Sequence, residues 1–198
     1  MGVLLNYIEE NSEQYVHGER LTLLIAELLI SCQITMLDLH AVSVGVGPGS
    51  YTGLRIGVSV AKGIAYGLNV PIFGVSSLES LIAFGRKKYA EEIIVAAFDA
   101  RRNEVFMRIE KGDLVICEDQ AVDLNRFNFV SDQPIVLVGN ASFKVLNYLQ
   151  THNKVREENL LVSSKGQVEI VWGRWQGNQT DSLTSLLPNY SKPVFFGN

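Results

Sequence analysis

The chain has 198 residues, 47% of them hydrophobic, which suits one large domain or two small ones with a real core. Its formal net charge of −4 makes it a poor candidate for binding nucleic acid by itself, because binding to backbone phosphates requires clustered cations. No disulfide framework and no CxxC metal site can be built from its two cysteines, Cys32 and Cys117. With no signal peptide in view and no apolar run long enough to span a bilayer, we expect a cytoplasmic location without membrane contact.

Hydrophobic periodicity predicts alternating strands and helices in the first half of the chain. The predicted elements are a strand at 2–10, a helix at 15–32, a strand at 39–47, a helix from 51 or 52 to 68, a strand at 71–75 and a helix at 78–89. The helix at 15–32 is apolar on more than one side, so it has more than one surface to bury. This alternation indicates an α/β layer with partly parallel pairing.

The second half of the chain is richer in strands. The predicted strands are 93–98, 104–110, 114–117, 134–138 and 160–162, and the predicted helices are 141–149, capped by Asn140, and 166–176. A soft boundary near residues 89–92 divides the chain into an N-terminal lobe, 1–90, and a second lobe, 91–198.

A glycine-rich turn joins the strand at 39–47 to the next helix. Strand, glycine turn and helix in this order aim backbone N–H groups at an anion. The candidate residues are Gly47, Pro48, Gly49, Ser50, Thr52, Gly53 and Arg55. The turn matches neither the P-loop, nor the dinucleotide pattern, nor the nucleophile elbow. From the residues alone, a tight turn that lets the helix pack close to the sheet is the favoured interpretation.

The helix after this turn carries two rows of small residues. The rows are Gly53, Gly57, Ala61 and Ala65, and beside them Ser59, Gly63 and Gly67. Each interior glycine costs a helix about 1 kcal/mol relative to alanine, so a close contact is expected in compensation. That contact is either the chain's own sheet or a partner helix, and two rows on neighbouring faces allow both.

Other candidate groups are weaker. The three histidines show no metal-ligand spacing, and no Ser/His/Asp or Cys/His set can be assembled. Asp99 with Arg101 and Arg102 forms either an ion-pair cluster or a binding corner, and exposed charges at a turn favour the ion pair. We therefore expect no catalytic residues and no metal.

The run Gly-Pro-Gly-Ser-Tyr-Thr-Gly-Leu-Arg-Ile-Gly at 47–57 resembles the bacterial TsaB (YeaZ) family. Val-Ser-Ser-Leu-Glu at 75–79, Phe-Asp-Ala-Arg-Arg-Asn-Glu-Val-Phe at 98–106 and the Pro188-x-Tyr190 tail also match, so the resemblance covers nearly the whole chain. It implies an α/β chain of the actin/Hsp70-like ATPase (ribonuclease H-like) fold with two related lobes. The family begins with two further strands, roughly 15–25 residues, so we expect a truncated N-terminal lobe, from a misplaced start codon or a fragment.

The resemblance also implies a function. It is that of a non-catalytic scaffold or adaptor subunit of the complex that makes N6-threonylcarbamoyladenosine next to the anticodon of tRNA. The implied partners are the catalytic paralogue TsaD and the ATPase TsaE, with tRNA contacted only indirectly and a homodimer compatible. The implied pairing residues on the first two helices are Leu21, Leu24, Leu28, Gly53, Gly57, Ala61, Lys62 and Ala65. On this view Gly57→Leu or Ala61→Arg blocks pairing and leaves the monomer folded.

Two alternatives stay open. One is a sugar-kinase-like phosphotransferase of the same superfamily, which needs an acidic phosphate-loop residue from a first strand that this sequence lacks. The other is a non-functional truncated fragment. No cofactor is expected, and ATP is the alternative, because the phosphate contacts of the first turn are missing. The glycoprotease label of the superfamily is set aside, since no nucleophile or metal-ligand set is visible.

Overall fold

The computed structural model describes residues 4–10, 17–149, 155–158 and 160–189, and of residues 17–19 the backbone alone. Its helices are α1 His17–Ser31, α2 Tyr51–Leu68, α3 Ser77–Arg86, α4 Ser142–Leu146 and α5 Gln167–Gln176. Its strands are β1 Val42–Gly47, β2 Ile72–Ser76, β3 Ile93–Asp99, β4 Glu104–Lys111, β5 Leu114–Asp123, β6 Ile135–Val138 and β7 Val155–Glu158. Short 3-10 helices lie at Met36–Asp38, Leu124–Arg126 and Ser164–Gly166.

The described strands form two sheets. Strands β1 and β2 pair in parallel, with Val42 opposite Ile72. The larger sheet has the order β5-β4-β3-β6-β7, in which β4 runs antiparallel to both β3 and β5, and β6 and β7 continue parallel to β3. The chain is therefore an α/β protein with a mixed sheet.

Helices cover both sheets. On the small sheet, Ala61 and Ala65 of α2 form a buried cluster with Ile72. On the large sheet, α4 packs on one face and α3 on the other, where Leu78 and Leu81 join a cluster with Ile94 and its neighbours. Helix α3 thus packs across the predicted lobe boundary near residue 90, and the division into 1–90 and 91–198 stays a prediction.

Most predicted elements are found, but three local predictions are wrong. Residues 4–10, the described part of the predicted first strand, form no regular strand and are largely exposed. Residues 160–162 are not a strand either, because Leu160 packs into the core while Leu161 and Val162 are 59% and 44% exposed. Asn140 does not cap α4; its side-chain oxygen accepts the Asp99 N–H at 3.0 Å.

Candidate functional site

One row of small residues on α2 faces the chain's own sheet. Ala61 and Ala65 are only 5% and 1% exposed, and a Cβ on Gly57 would lie 3.7 Å from Cγ2 of Val44 on β1. Gly53 at the start of the row is half-buried, and a Cβ there would lie 3.4 Å from the Ser50 side chain. The buried alanines offer no surface to a partner, so the close contact expected for this row lies within the chain.

Lys62 is also used inside the chain. Its Nζ donates to the carbonyl oxygens of Thr184 at 3.4 Å and Leu186 at 3.2 Å, which ties α2 to the segment after α5. Lys62 therefore has a structural role, and its role in pairing stays a prediction.

The second row on α2, Ser59, Gly63 and Gly67, is exposed; we call it the open row. Apart from the adjoining residues and backbone of α2 itself, no described atom lies within 4 Å of a Cβ built on Gly63 or Gly67. Between them Tyr66 is 78% exposed. These two glycines thus lower the stability of the helix, and no packing contact from another described element compensates for the loss.

Helix α1 contacts α2 and leaves apolar side chains uncovered. The predicted pairing residues Leu21, Leu24 and Leu28 are half-buried. Leu23 and Ile30, on the same helix, are 59% and 76% exposed. Exposed apolar residues on two contacting helices, one with bare glycines, are typical of a surface that another helix covers.

The glycine turn is closed against its own chain. Ser50 caps α2, since its hydroxyl oxygen accepts the Gly53 N–H at 3.3 Å. Gly47 has a φ of 114°, and a Cβ there would come within 3.0 Å of the Asn189 carbonyl oxygen, so only glycine fits. Pro48 is buried beside it.

The remaining candidate residues of this turn, Gly49, Thr52 and Arg55, are exposed. The Arg55 guanidinium lies 4.3 Å from the centre of the Tyr51 ring. Anion binding by the turn stays a prediction.

A cluster of charged side chains joins the two sheets, and sequence patterns did not reveal it. Arg108 on β4 pairs with Glu110, and with Asp119 on β5 at 2.9 Å. Asp119 also accepts a hydrogen bond from the hydroxyl of Ser76, at the end of β2. Burial alone would lower the pKa of Arg108, but the hydrogen bonds to Glu110 and Asp119 outweigh it and raise that pKa. This cluster serves as a partly buried polar connection between β2 and the large sheet.

Glu79 on α3 lies near this cluster. Burial raises the pKa of its carboxyl, opposed by the positive charges of Arg108 and Arg174. The carboxylate is thus destabilised in its charged form, which costs folding free energy at neutral pH.

Asp99 pairs with a different cation from the predicted ones. Its Oδ1 accepts from Lys144 Nζ at 2.9 Å, and Arg101 and Arg102 form no ion pair with a described residue. The ion pair predicted from neighbouring charges is wrong, because the cation that pairs with Asp99 is Lys144 on α4, 45 residues away in the chain.

Neither a metal site nor a membrane span stands out in the described residues. No three His, Cys, Asp or Glu side chains there are grouped as a metal site requires. Over the same ranges, every helix is too short or too polar to cross a membrane.

Residues 10–142 match the family model described as "TsaD: tRNA N6-adenosine threonylcarbamoyltransferase". The chain belongs to this family. Within the family it is of the TsaB (YeaZ) type, as curated relatives indicate. It is 42% identical over 121 residues to the Bacillus subtilis "tRNA threonylcarbamoyladenosine biosynthesis protein TsaB", covering 61% of this chain and 50% of that relative. It is 36% identical over 90 residues to the Escherichia coli protein of the same name, covering 46% and 39%.

A longer match exists at lower identity. The TsaB protein of Buchnera aphidicola is 29% identical over 185 residues, covering 89% of this chain and 80% of that relative. The first two relatives are matched over half of their length or less.

Two solved structures share the fold. "YeaZ from Pseudomonas aeruginosa" aligns with a TM-score of 0.76 at 22% identity, covering 90% of this chain and 86% of that one. A crystal structure of a protein "with similarity to peptidase YEAZ from Pseudomonas aeruginosa" aligns with a TM-score of 0.80, also at 22% identity, covering 90% and 85%. The predicted actin-like ATPase-type fold is confirmed.

Proposed function

We propose that this chain is a non-catalytic scaffold subunit in the biosynthesis of N6-threonylcarbamoyladenosine on tRNA. Membership of the TsaD family supports this proposal, as do relatives that carry the name of that biosynthesis. The catalytic partner is a TsaD-type paralogue, and the ATPase TsaE joins the pair.

The observation that carries the proposal is the uncovered side of α1 and α2. The open row leaves Gly63 and Gly67 bare, so a second helix backbone can approach α2 closely there. Leu23, Ile30 and Tyr66 supply exposed apolar area on the same two helices. Burying that area against a partner stabilises the complex by about 25 cal/mol per Å² of apolar surface.

The sheet-facing row has a separate task in this account. Gly57, Ala61 and Ala65 hold α2 close to β1 and β2, and so fix the side of the helix that is presented outward. Packing within the chain and pairing with a partner then use different faces of one helix.

A complementation experiment tests this function. The chain is co-expressed with the TsaD-type paralogue of its own organism in a strain depleted of both its resident TsaB and its resident TsaD. Modified nucleoside is measured in total tRNA by mass spectrometry, and assembly is measured by co-elution. We expect restored N6-threonylcarbamoyladenosine and a co-eluting paralogue.

Two controls accompany this experiment, the paralogue alone and the chain alone, and neither restores the nucleoside if the chain is a scaffold. Failure of the two together to restore the nucleoside, with no co-elution, would overturn the proposal. Elution of this chain only with itself would instead indicate a homodimer.

A further inference from the structure

The turn 99–103 between β3 and β4 holds two adjacent arginines in an uncommon backbone conformation. Arg101 has a φ of 70° and Arg102 a φ of 48°. Residues other than glycine, asparagine and aspartate rarely adopt this left-handed region. Both arginines are exposed, so neither is explained by packing into the core.

Hydrogen bonds fix the shape of this turn. Asp99 Oδ1 accepts the Arg101 N–H at 2.7 Å and the Lys144 Nζ at 2.9 Å. Lys144 Nζ also donates to the Glu104 carbonyl oxygen at 3.0 Å. The Asp99 carboxylate is thus engaged by Lys144 and a backbone N–H, and the two guanidinium groups form no ion pair with a described residue.

An open cavity lies beside Arg102. It has a volume of about 390 Å³ and is lined by Arg102, Asn103, Glu104, Asp123 and Asn125. Asn103 Nδ2 donates to Asn125 Oδ1 at 3.3 Å, and Asn125 donates to Asp123 Oδ1 from its N–H at 3.0 Å and from Nδ2 at 3.1 Å. The lining carries hydrogen-bonding groups and no apolar side chain. Its carboxylates, Glu104 and Asp123, can accept hydrogen bonds from hydroxyl groups, and its one cation among the described residues is Arg102.

We propose that the turn 99–103 and this cavity bind the sugar–phosphate backbone of an RNA. This inference rests on the proposed function and names the turn as a contact with the tRNA. The exposed Arg101 and Arg102 meet phosphates, and the acceptors of Asn103 and Asp123 meet ribose hydroxyls.

An RNA fits this surface better than a peptide does. Energetically important protein contacts centre on apolar or aromatic anchors, and the cavity offers none. Two cations on a chain of net charge −4 supply a shared contact rather than an independent one. The turn therefore adds to RNA binding by the assembled complex, which departs from the expectation that tRNA is contacted only indirectly.

The test compares two charge-matched double variants in the complex with the TsaD-type paralogue. Arg101→Ala/Arg102→Ala removes the two cations of the turn. The control, Lys87→Ala/Lys111→Ala, removes two cations outside the turn: Lys87 follows α3, and Lys111 lies opposite Ile93 at the other end of the β3–β4 hairpin. Assembly is measured first by size exclusion, and we expect both variants to assemble as the parent does.

Binding of a tRNA transcript is then titrated at several salt concentrations. The turn variant is expected to bind roughly tenfold more weakly, and its slope of log affinity against log salt to be shallower by roughly 1–2. The control is expected to match the parent. Equal affinity of the turn variant and the control would overturn the proposal.

Ultraviolet crosslinking separates this inference from the proposed function. If the parent does not assemble with the paralogue, the proposed function fails, and the chain alone is crosslinked to the transcript at low salt. Crosslinks within 99–103 or 123–125 still support the RNA contact. Crosslinks only elsewhere, or none, overturn it.

Discussion

Along α2, Gly57, Ala61 and Ala65 pack on the small sheet, whereas Gly63 and Gly67 on the neighbouring face meet no described atom within 4 Å. The two rows share their four-residue spacing and their small side chains. Such spacing predicts that a backbone approaches closely, but it does not say which one. Burial makes the distinction: the first row is explained by the chain itself, and the second is left for a partner.

The largest effect is expected from a charge in the sheet-facing row. Ala61 is 5% exposed in the cluster with Ala65 and Ile72, so Ala61→Arg forces a guanidinium against apolar neighbours. We expect the free energy of unfolding to fall by about 3 kcal/mol or more, measured by denaturant titration. This expectation differs from the sequence-based one, in which the variant blocks pairing without disturbing the monomer. Unchanged stability would show that the row is not buried in solution.

A bulky apolar residue in the same row tests the packing without a charge. The 3.7 Å from a Cβ at Gly57 to Val44 Cγ2 leaves room for one methyl group and not for a leucine. Gly57→Leu is therefore expected to destabilise the chain by roughly 1–3 kcal/mol, measured in the same titration. Gly57→Ala serves as the control and is expected to be neutral or stabilising, because alanine favours the helix.

The turn 99–103 contrasts with the open row, where glycines stand in a helix that favours other residues. In the turn the backbone favours glycine, and arginines occupy it. Arg101→Gly/Arg102→Gly is expected to raise the free energy of unfolding by about 1–2 kcal/mol, by relieving two left-handed side chains. Loss of stability would mean that the arginines hold the turn together, and stability gained with RNA affinity lost would mean that they serve binding.

Glu79 shows how partial burial of a native carboxylate lowers the free energy of unfolding. Its raised pKa means that the folded chain holds the proton more tightly than the unfolded chain does. The free energy of unfolding therefore falls as pH rises through the ordinary value of 4.5, and the full cost is present at neutral pH.

Glu79→Gln removes this cost. We expect a gain of under about 1 kcal/mol at pH 7, because solvent screens part of the carboxylate, and no gain well below pH 4.5. Denaturant titrations of variant and parent at both pH values measure the difference. A gain of equal size at both would attribute it to packing instead of charge.

Local sequence signals predicted much of the fold. The glycine turn located the start of α2 at 51 or 52, and the structure begins this helix at Tyr51 with Ser50 as its cap. Strand β7 was missed, since Val-Arg-Glu-Glu at 155–158 lacks the alternation of a half-buried strand.

The site was predicted less completely, because its contacts join residues that are far apart in the sequence. Lys144 reaches Asp99 from 45 residues away, and Ser76 reaches Asp119 from 43. Neither pair leaves a local pattern. The choice between the two small-residue rows likewise depends on where β1 and β2 lie against α2, which spacing along one helix does not contain.

The most direct test of the pairing surface places one substitution at two open helix glycines. A Cβ added to Gly63 on α2 or to Gly173 on α5 would meet no described atom within 4 Å, so arginine fits at each. Replacing a helix glycine also raises helix propensity by up to about 1 kcal/mol, so neither variant is expected to unfold. Co-elution with the TsaD-type paralogue is measured for both. We expect Gly173→Arg to assemble like the parent and Gly63→Arg to elute alone; co-elution of Gly63→Arg at the parent's level would contradict the account.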